Sequence, residues 1–402
     1  MKNKWIWLSC LLVGVMVLGL ALVMPAQALS ANLTDQQQLG KDLFFDENLS
    51  LNENQSCASC HGPNVGWTGP DPVINMAGGV YEGSIPGAFG NRKPPSAAYA
   101  GGSPVLYQDD SGQWFGGMFW DGRATGWTLG DPLAEQAKGP FLNPKEMAVP
   151  DAATLVAKVQ ASSYADLFAS ECPQPDVEGQ YDCIGMAIAA FERTPEVSAY
   201  TSKFDSFWTK ATYGKGLDVT QINEKNWMKY KNLGLDTEEL KGLALFNTRA
   251  NCSNCHTLDQ GPDGFPVFTD FSYDNLGIPK NPLNPATIAD PNWADPGLGG
   301  FLQAYDPTSN WESQVGKFKV PTLRNVDLRP NRQFVKAYGH NAYFKSLKEI
   351  VHFYNTRDTG NWPPPETPQN MNTTEVGNLG LTSHEEDLIV SFLKTLSDGW
   401  KQ

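Results

Sequence analysis

Apolar residues fall at helical spacing in several places along the chain. Leu347, Ile350, Val351 and Tyr354 lie at i, i+3, i+4 and i+7, which predicts a helix with one apolar face. On that helix His352 points about 200° away from Tyr354, so Tyr354 should face the interior and His352 solvent. Leu388, Ile389, Phe392, Leu393 and Leu396 form a second stripe over Ser383–Leu396, with Thr382 and Glu385 as its N-terminal cap signal. Ile184–Arg193 reads as a third helix. Two shorter patterns share one layout. Thr34 and Gln37 cap a helix carrying Gly40, Leu43 and Phe44, and Asp236 and Glu239 cap one carrying Gly242, Leu245 and Phe246. Strand signals are few. The Gly/Pro-rich stretches Gly62–Gly117 and Gly261–Lys317 read as long loops. The chain is therefore expected to be mainly α and built from two related halves, 29–212 and 235–402, joined by a polar, lysine-rich stretch over 213–234.

One segment lies outside that plan. Lys2 and Lys4 precede an apolar run from Trp5 to Met24, and Ala26-Gln27-Ala28 follows. A basic start, an apolar core and a small-residue cleavage site predict a signal peptide over 1–28 and export to the periplasm. The alternative is an uncleaved N-terminal anchor. No other stretch is long and apolar enough to span a bilayer, so no stable membrane insertion is expected after cleavage. The chain has 402 residues and a net charge of −14, with 41% hydrophobic and 18% charged residues. That composition argues against long disorder, nucleic-acid binding and attachment to anionic lipid, and suits cationic partners.

The strongest chemical signal is in the cysteines. Cys57-Ala58-Ser59-Cys60-His61 and Cys252-Ser253-Asn254-Cys255-His256 are both C-x-x-C-H motifs, the spacing that attaches haem c. The thiols add across the haem vinyl groups, and His61 or His256 ligates the iron. A zinc site would need further Cys or His at matching spacing, which the sequence lacks. The expectation is two cytochrome c-type domains with one covalent haem each, their long loops wrapping the haems. Cys172 and Cys183 are expected to close a small surface loop as a disulfide, the alternative being two free thiols.

The sixth ligands decide the chemistry. An electron-transfer haem is closed on both faces, whereas a catalytic one keeps a face open. The other histidines, His340, His352 and His384, all lie in the second half. The first haem thus has no distal His from its own half, although Met76, Met118, Met147 and Met186 remain available. For the second haem, Tyr354 is the expected ligand and Met371 the alternative.

Several blocks carry a resemblance: Leu39-Gly40-Lys41-Asp42-Leu43-Phe44-Phe45-Asp46, Phe119-Trp120-Asp121-Gly122-Arg123-Ala124, Gly139-Pro140 through Glu146-Met147, Ala190-Phe191-Glu192-Arg193-Thr194 and Val320-Pro321-Thr322-Leu323-Arg324-Asn325-Val326. With the two haem motifs in order, the chain resembles the bacterial di-haem cytochrome c peroxidases and their relative MauG over nearly its whole mature length. The resemblance implies that Gln136, Pro140 and Glu146 stand over the open haem, with Glu146 as acid–base, Gln136 orienting peroxide and Pro140 shaping the pocket. It implies that Trp120 lies between the haems, with about six extra residues at Thr125–Pro132 altering the loop that follows. His340 matches a residue near the haem interface, a propionate or relay partner, and Arg324 falls in a block placed at the cofactor. The spacing from His340 reaches Tyr354, where peroxidases have Met and MauG has Tyr. Family members bind Ca2+ between the haems. The matching positions here, Lys93, Val335 and Ala337, lose those ligands, which counts against calcium. The implied function is a periplasmic peroxidase reducing hydrogen peroxide with electrons from a small redox protein. The alternative is a MauG-like oxidase that modifies Trp or Tyr of a partner protein, and a third is a di-haem electron carrier.

Overall fold

The computed structural model describes residues 32–401, so the signal peptide expected over 1–28 lies outside the described residues. Helices dominate, and the strands are four two-residue segments paired as two antiparallel ribbons. No helix among the described residues is long and apolar enough to cross a membrane.

Two helix pairs organise the molecule. Asp35–Phe45 packs on Val177–Glu192, and Thr237–Phe246 packs on Ser383–Lys394. The capping boxes at Thr34, Asp236 and Thr382 all form. The repeated glycine is a contact requirement. A Cβ on Gly40 would sit 1.9 Å from the Ala187 carbonyl oxygen, and one on Gly242 would sit 2.0 Å from that of Leu388. Only glycine lets the paired backbones approach so closely. Edge-to-face aromatic triads lock each crossing: Phe44, Trp67 and Phe191 in one, Phe246, Phe268 and Phe392 in the other.

Two hydrophobic cores result, one built mainly from Leu39 to Val197 and the other from Phe204 to Leu396. Residues 213–234 contribute to the second core through the buried Val219, Ile222 and Tyr230. Cys172 and Cys183 are disulfide-bonded. Both are buried in the first core, so the bridge pins the turn before the helix Val177–Glu192 rather than a surface loop. That helix begins seven residues before the predicted Ile184, because the Asp176 carboxylate accepts from the Gly179 N–H. The Gly/Pro-rich stretches are not wholly loop. The second holds a helix, Gly297–Tyr305, whose Gly299 lies against the Val315 backbone, a contact no local pattern announces.

Candidate active site

The two C-x-x-C-H segments fold alike. Each begins with one turn of 3-10 helix, Cys57–Ser59 or Cys252–Asn254. The His61 N–H donates to the Cys57 carbonyl at 2.9 Å, and the His256 N–H to the Cys252 carbonyl at 2.9 Å. The imidazoles are then oriented from behind. His61 Nδ1 lies 3.1 Å from the Trp67 carbonyl oxygen, and His256 Nδ1 lies 2.9 Å from that of Phe268. A carbonyl can only accept, so Nδ1 carries the proton and Nε2 keeps its lone pair, the arrangement that metal-binding histidines use. Trp67 and Phe268 both adopt left-handed backbone, with φ 57° and 55°. Ser96 Oγ fixes the first turn through the Gly66 carbonyl, and Thr322 Oγ1 fixes the second through that of Val267. Burial holds His61 down to about 4 and also lowers His256, so both rings are neutral at pH 7.

Each segment opens on a cavity, with about 190 Å³ of room for water centres in the first and about 230 Å³ in the second. One water needs only ~10–15 Å³ by that measure. The four thiols are unpaired, and burial pushes Cys60 and Cys252 up to about 12. Two free thiols and a histidine lone pair thus line each of two large, mainly apolar cavities. These donors fit a haem attached through both cysteines, with His61 or His256 as the iron ligand.

Gln136, Pro140 and Glu146 line the first cavity together with His61. Gln136 and Pro140 sit one turn apart on the helix Pro132–Leu142, capped by Asp131. Pro140 has no N–H, so its ring interrupts the helix ladder at the Gln136 carbonyl. The chain then doubles back. The Met147 N–H donates to the Pro140 carbonyl at 3.1 Å, and the Ala148 N–H to that of Asn143 at 3.0 Å. The Glu146 carbonyl accepts from the Ser84 N–H at 2.7 Å, which fixes the residue from outside the turn. Glu146 Oε2 is buried without a hydrogen-bond partner. Burial raises its pKa against the opposing pull of Arg123. Met118 and Met147 line this cavity, whereas Met76 and Met186 are exposed and do not. Sequence reasoning missed Glu192, which lines the same cavity at 4% exposure. Burial pushes it up to about 8, and its Oε2 also lacks a partner. It lies within the Ala190–Thr194 block, where only its side-chain type in a helix end could have drawn notice.

Trp120 lines both cavities, and its indole N–H donates to the Lys93 carbonyl at 2.8 Å. The bridge Met118–Ala124 closes its loop, and the bridge Tyr338–Phe344 closes an equivalent loop that carries His340. The wall between the cavities is reciprocal. The Lys93 N–H donates to the His340 carbonyl at 2.9 Å, and the Lys319 N–H donates to the Trp120 carbonyl at 2.9 Å. The stretch Thr125–Pro132 after Trp120 holds a turn gathered by the Glu135 carboxylate, which accepts from the N–H groups of Gly126, Thr128 and Leu129. His340 is buried, stacked on Phe318 at 3.5 Å, with Nε2 3.1 Å from Glu366 Oε2.

Tyr354 lines the second cavity with Cys252, Cys255 and His256, and burial raises its phenol pKa. Its hydroxyl has no hydrogen-bond partner among the described residues. Met371 packs against Gly277 and does not line the cavity. His352 is half exposed and lies 2.9 Å from Glu386. Arg324 lines the cavity, but its guanidinium is turned to Asp205 at 2.6 Å and to the Pro266 carbonyl. At the positions matching the family's calcium ligands, Lys93 Nζ donates to Thr68 Oγ1 and the Pro94 carbonyl, and the Val335 carbonyl accepts from Asn75.

Known proteins resemble this chain. A sequence model of the family described as di-haem cytochrome c peroxidase matches residues 34–212. The methylamine utilization protein MauG of Paracoccus denitrificans is 33% identical over 381 residues, covering 90% of this chain and 88% of that protein. The cytochrome c551 peroxidase of Nitrosomonas europaea is 28% identical over 379 residues, covering 93% of this chain and 84% of the other. The crystal structure of the diheme peroxidase BthA from Burkholderia thailandensis superposes with a TM-score of 0.74 at 30% identity, covering 90% of this chain and 86% of that one. With that likeness covering about nine-tenths of its length, the chain belongs to the di-haem cytochrome c peroxidase family that includes MauG, and it is an oxidoreductase of that type.

Proposed function

We propose that the protein reduces hydrogen peroxide to water in the first cavity. We further propose that haem is covalently attached at each C-x-x-C-H segment, with one cytochrome c-type domain around each. The observation that carries this reading is Glu146, a buried carboxyl with an unpartnered oxygen in the same cavity as the free face of His61. When bound, haem supplies the iron that peroxide meets and the electrons it takes up. Reduction consumes two electrons and two protons and yields two waters. Glu146 takes the proton from one peroxide oxygen and delivers it to the departing one, since hydroxide leaves poorly. Gln136, whose amide has no partner among the described residues, donates a hydrogen bond that orients the peroxide. Pro140 keeps the helix backbone in place beneath them. Trp120, in the wall of both cavities, is the relay between the two haem sites, and His340 with Glu366 lines the second cavity with it.

A second reading is supported by Tyr354. A phenol lies in the second cavity while the thioether alternative lies outside it. A phenolate ligand favours oxidised iron, whereas a thioether favours reduced iron. That favours a MauG-like oxidase acting on a partner protein over a relay fed by a small redox donor. Both readings share the peroxide step. Export to the periplasm through the signal peptide over 1–28 completes the proposal. The test is Glu146→Gln, which keeps the shape and removes the acid. The rate of reaction with peroxide should fall by about 10²–10⁴, with resting spectra little changed. A variant that reacts at the wild-type rate refutes the role of Glu146.

A further inference from the structure

The backbone wall between the cavities carries a repeat. Lys93-Pro94-Pro95-Ser96 and Lys319-Val320-Pro321-Thr322 occupy equivalent places in the two halves. Ser96 and Thr322 play the same part behind the two histidines. Tyr99 and Asn325, each six residues after its lysine, both have left-handed backbone, with φ 61° and 57°. Each lysine also donates its backbone N–H across the wall, Lys93 to the His340 carbonyl and Lys319 to the Trp120 carbonyl.

Neither ammonium forms an ion pair with a carboxylate among the described residues, and only Asp270 acts on Lys319 at longer range. Lys93 lines both cavities, and Nζ donates to Thr68 Oγ1 at 3.0 Å and to the Pro94 carbonyl at 2.8 Å, leaving one N–H unspent. Lys319 lines the second cavity with Nζ 4.4 Å from the Phe271 ring centre, and this ammonium makes no hydrogen bond or ion pair among the described residues. Their neighbour Lys336 differs. Its Nζ donates to the carbonyls of Val65, Asn325 and Leu328 at 2.7, 2.9 and 3.0 Å, so all three donors are used. Other cations nearby are neutralised: Arg92 by Asp121 and Asp295, Arg324 by Asp205. An ammonium buried without counter-charge is costly, and burial pulls Lys93 down to about 8 and Lys319 to about 7. Among the described residues, neither Nζ has a carboxylate within ion-pair distance, and the charge that acts on Lys319, Asp270, does so from farther off.

We infer that Lys93 and Lys319 are the counter-charges for the propionate carboxylates of the two cofactors, with Lys93 serving both cavities and Lys319 only the second. This rests on the proposal that each cavity holds a haem. Each lysine would donate its unspent N–H groups to a carboxylate, the charge-assisted type of hydrogen bond. Lys93, a fixed cation at the shared wall, would couple the two sites electrostatically where the family places a divalent ion.

The experiment is spectroelectrochemical titration of the loaded protein, with haem content measured first as the pyridine haemochromogen. Fewer than two haems per chain overturns the underlying proposal of two haem sites. With two haems present, removing a cation stabilises ferric iron. Lys93→Met should shift the ferric/ferrous equilibrium of both haems about tenfold toward ferric, which is 59 mV for one electron. Lys319→Met should shift one haem only, and Lys93→Arg should restore the wild-type values. Unchanged potentials in Lys93→Met overturn the role of Lys93, and a shift of one haem alone overturns its sharing. Should Lys93→Met fail to fold, resonance Raman of the wild type decides. Propionate bending modes shifted by hydrogen bonding at both haems support the inference, and unshifted modes overturn it.

Discussion

Glu192→Gln is the substitution whose effect on stability follows most directly from the structure. Glu192 is 4% exposed, and burial pushes its pKa from the ordinary 4.5 up to about 8, with Arg193 opposing and Asp131 reinforcing the shift. The raised value means that the folded state holds a proton the unfolded state has already lost. Stability is therefore complete below the unfolded value near 4.5 and falls as pH rises toward the folded value near 8. A shift of between three and four pKa units corresponds to roughly 4–5 kcal/mol. That is a large share of a typical ~5–15 kcal/mol total. Glutamine keeps the shape and cannot ionise, so the variant should lose most of this slope and be the more stable protein at pH 8. Urea unfolding of the loaded protein at steps from pH 5 to 9, wild type beside variant, measures the difference. Parallel stability profiles would show that Glu192 ionises freely, and the assignment of a proton-holding carboxyl to this cavity would fall.

The other expectations rest on separate features. Gly242→Ala places a methyl 2.0 Å from the Leu388 carbonyl oxygen and should cost ~1–3 kcal/mol, read as a lower thermal midpoint; an unchanged midpoint refutes the close crossing. Tyr354→Met should raise the potential of the second haem and create a sulfur-to-iron charge-transfer band in the near infrared. If the wild-type ferric protein already shows that band, a methionine is the ligand and Tyr354 is a wall residue.

Local chemistry made much of this molecule legible. Capping boxes at Thr34, Asp236 and Thr382 are written within four residues, and each forms. The spacing of Gly40, Leu43 and Phe44, repeated in Gly242, Leu245 and Phe246, announced two equivalent helices before their crossings were visible. The helix face that carries Tyr354 inward and leaves His352 half exposed follows from periodicity alone. What escaped depends on distant neighbours. The helix Gly297–Tyr305 is poor in helix formers at its start and is held by the backbone of Val315. The left-handed turns at Trp67 and Phe268 sit at bulky aromatic residues, where sequence gives no sign of them. Glu192 looks like any glutamate near a helix end, and its burial comes from helices far away in the chain. The lysine repeat was readable as K-x-P-[ST], but two copies of a four-residue pattern mean little until their amides are seen to cross.

That crossing bears on how such a protein can arise. Lys93 of one half binds His340 of the other, and Lys319 of the second binds Trp120 of the first, so each half completes the wall of its sister. This is the contact pattern of a two-fold dimer, drawn within a single polypeptide. A lone half would leave its lysine amide and its opposing carbonyl unanswered, and would satisfy both by pairing face to face with a copy of itself. Fusion of two such copies frees the partners to diverge. One loop carries a tryptophan and the other a histidine at the same station, so the exchange across the wall is asymmetric.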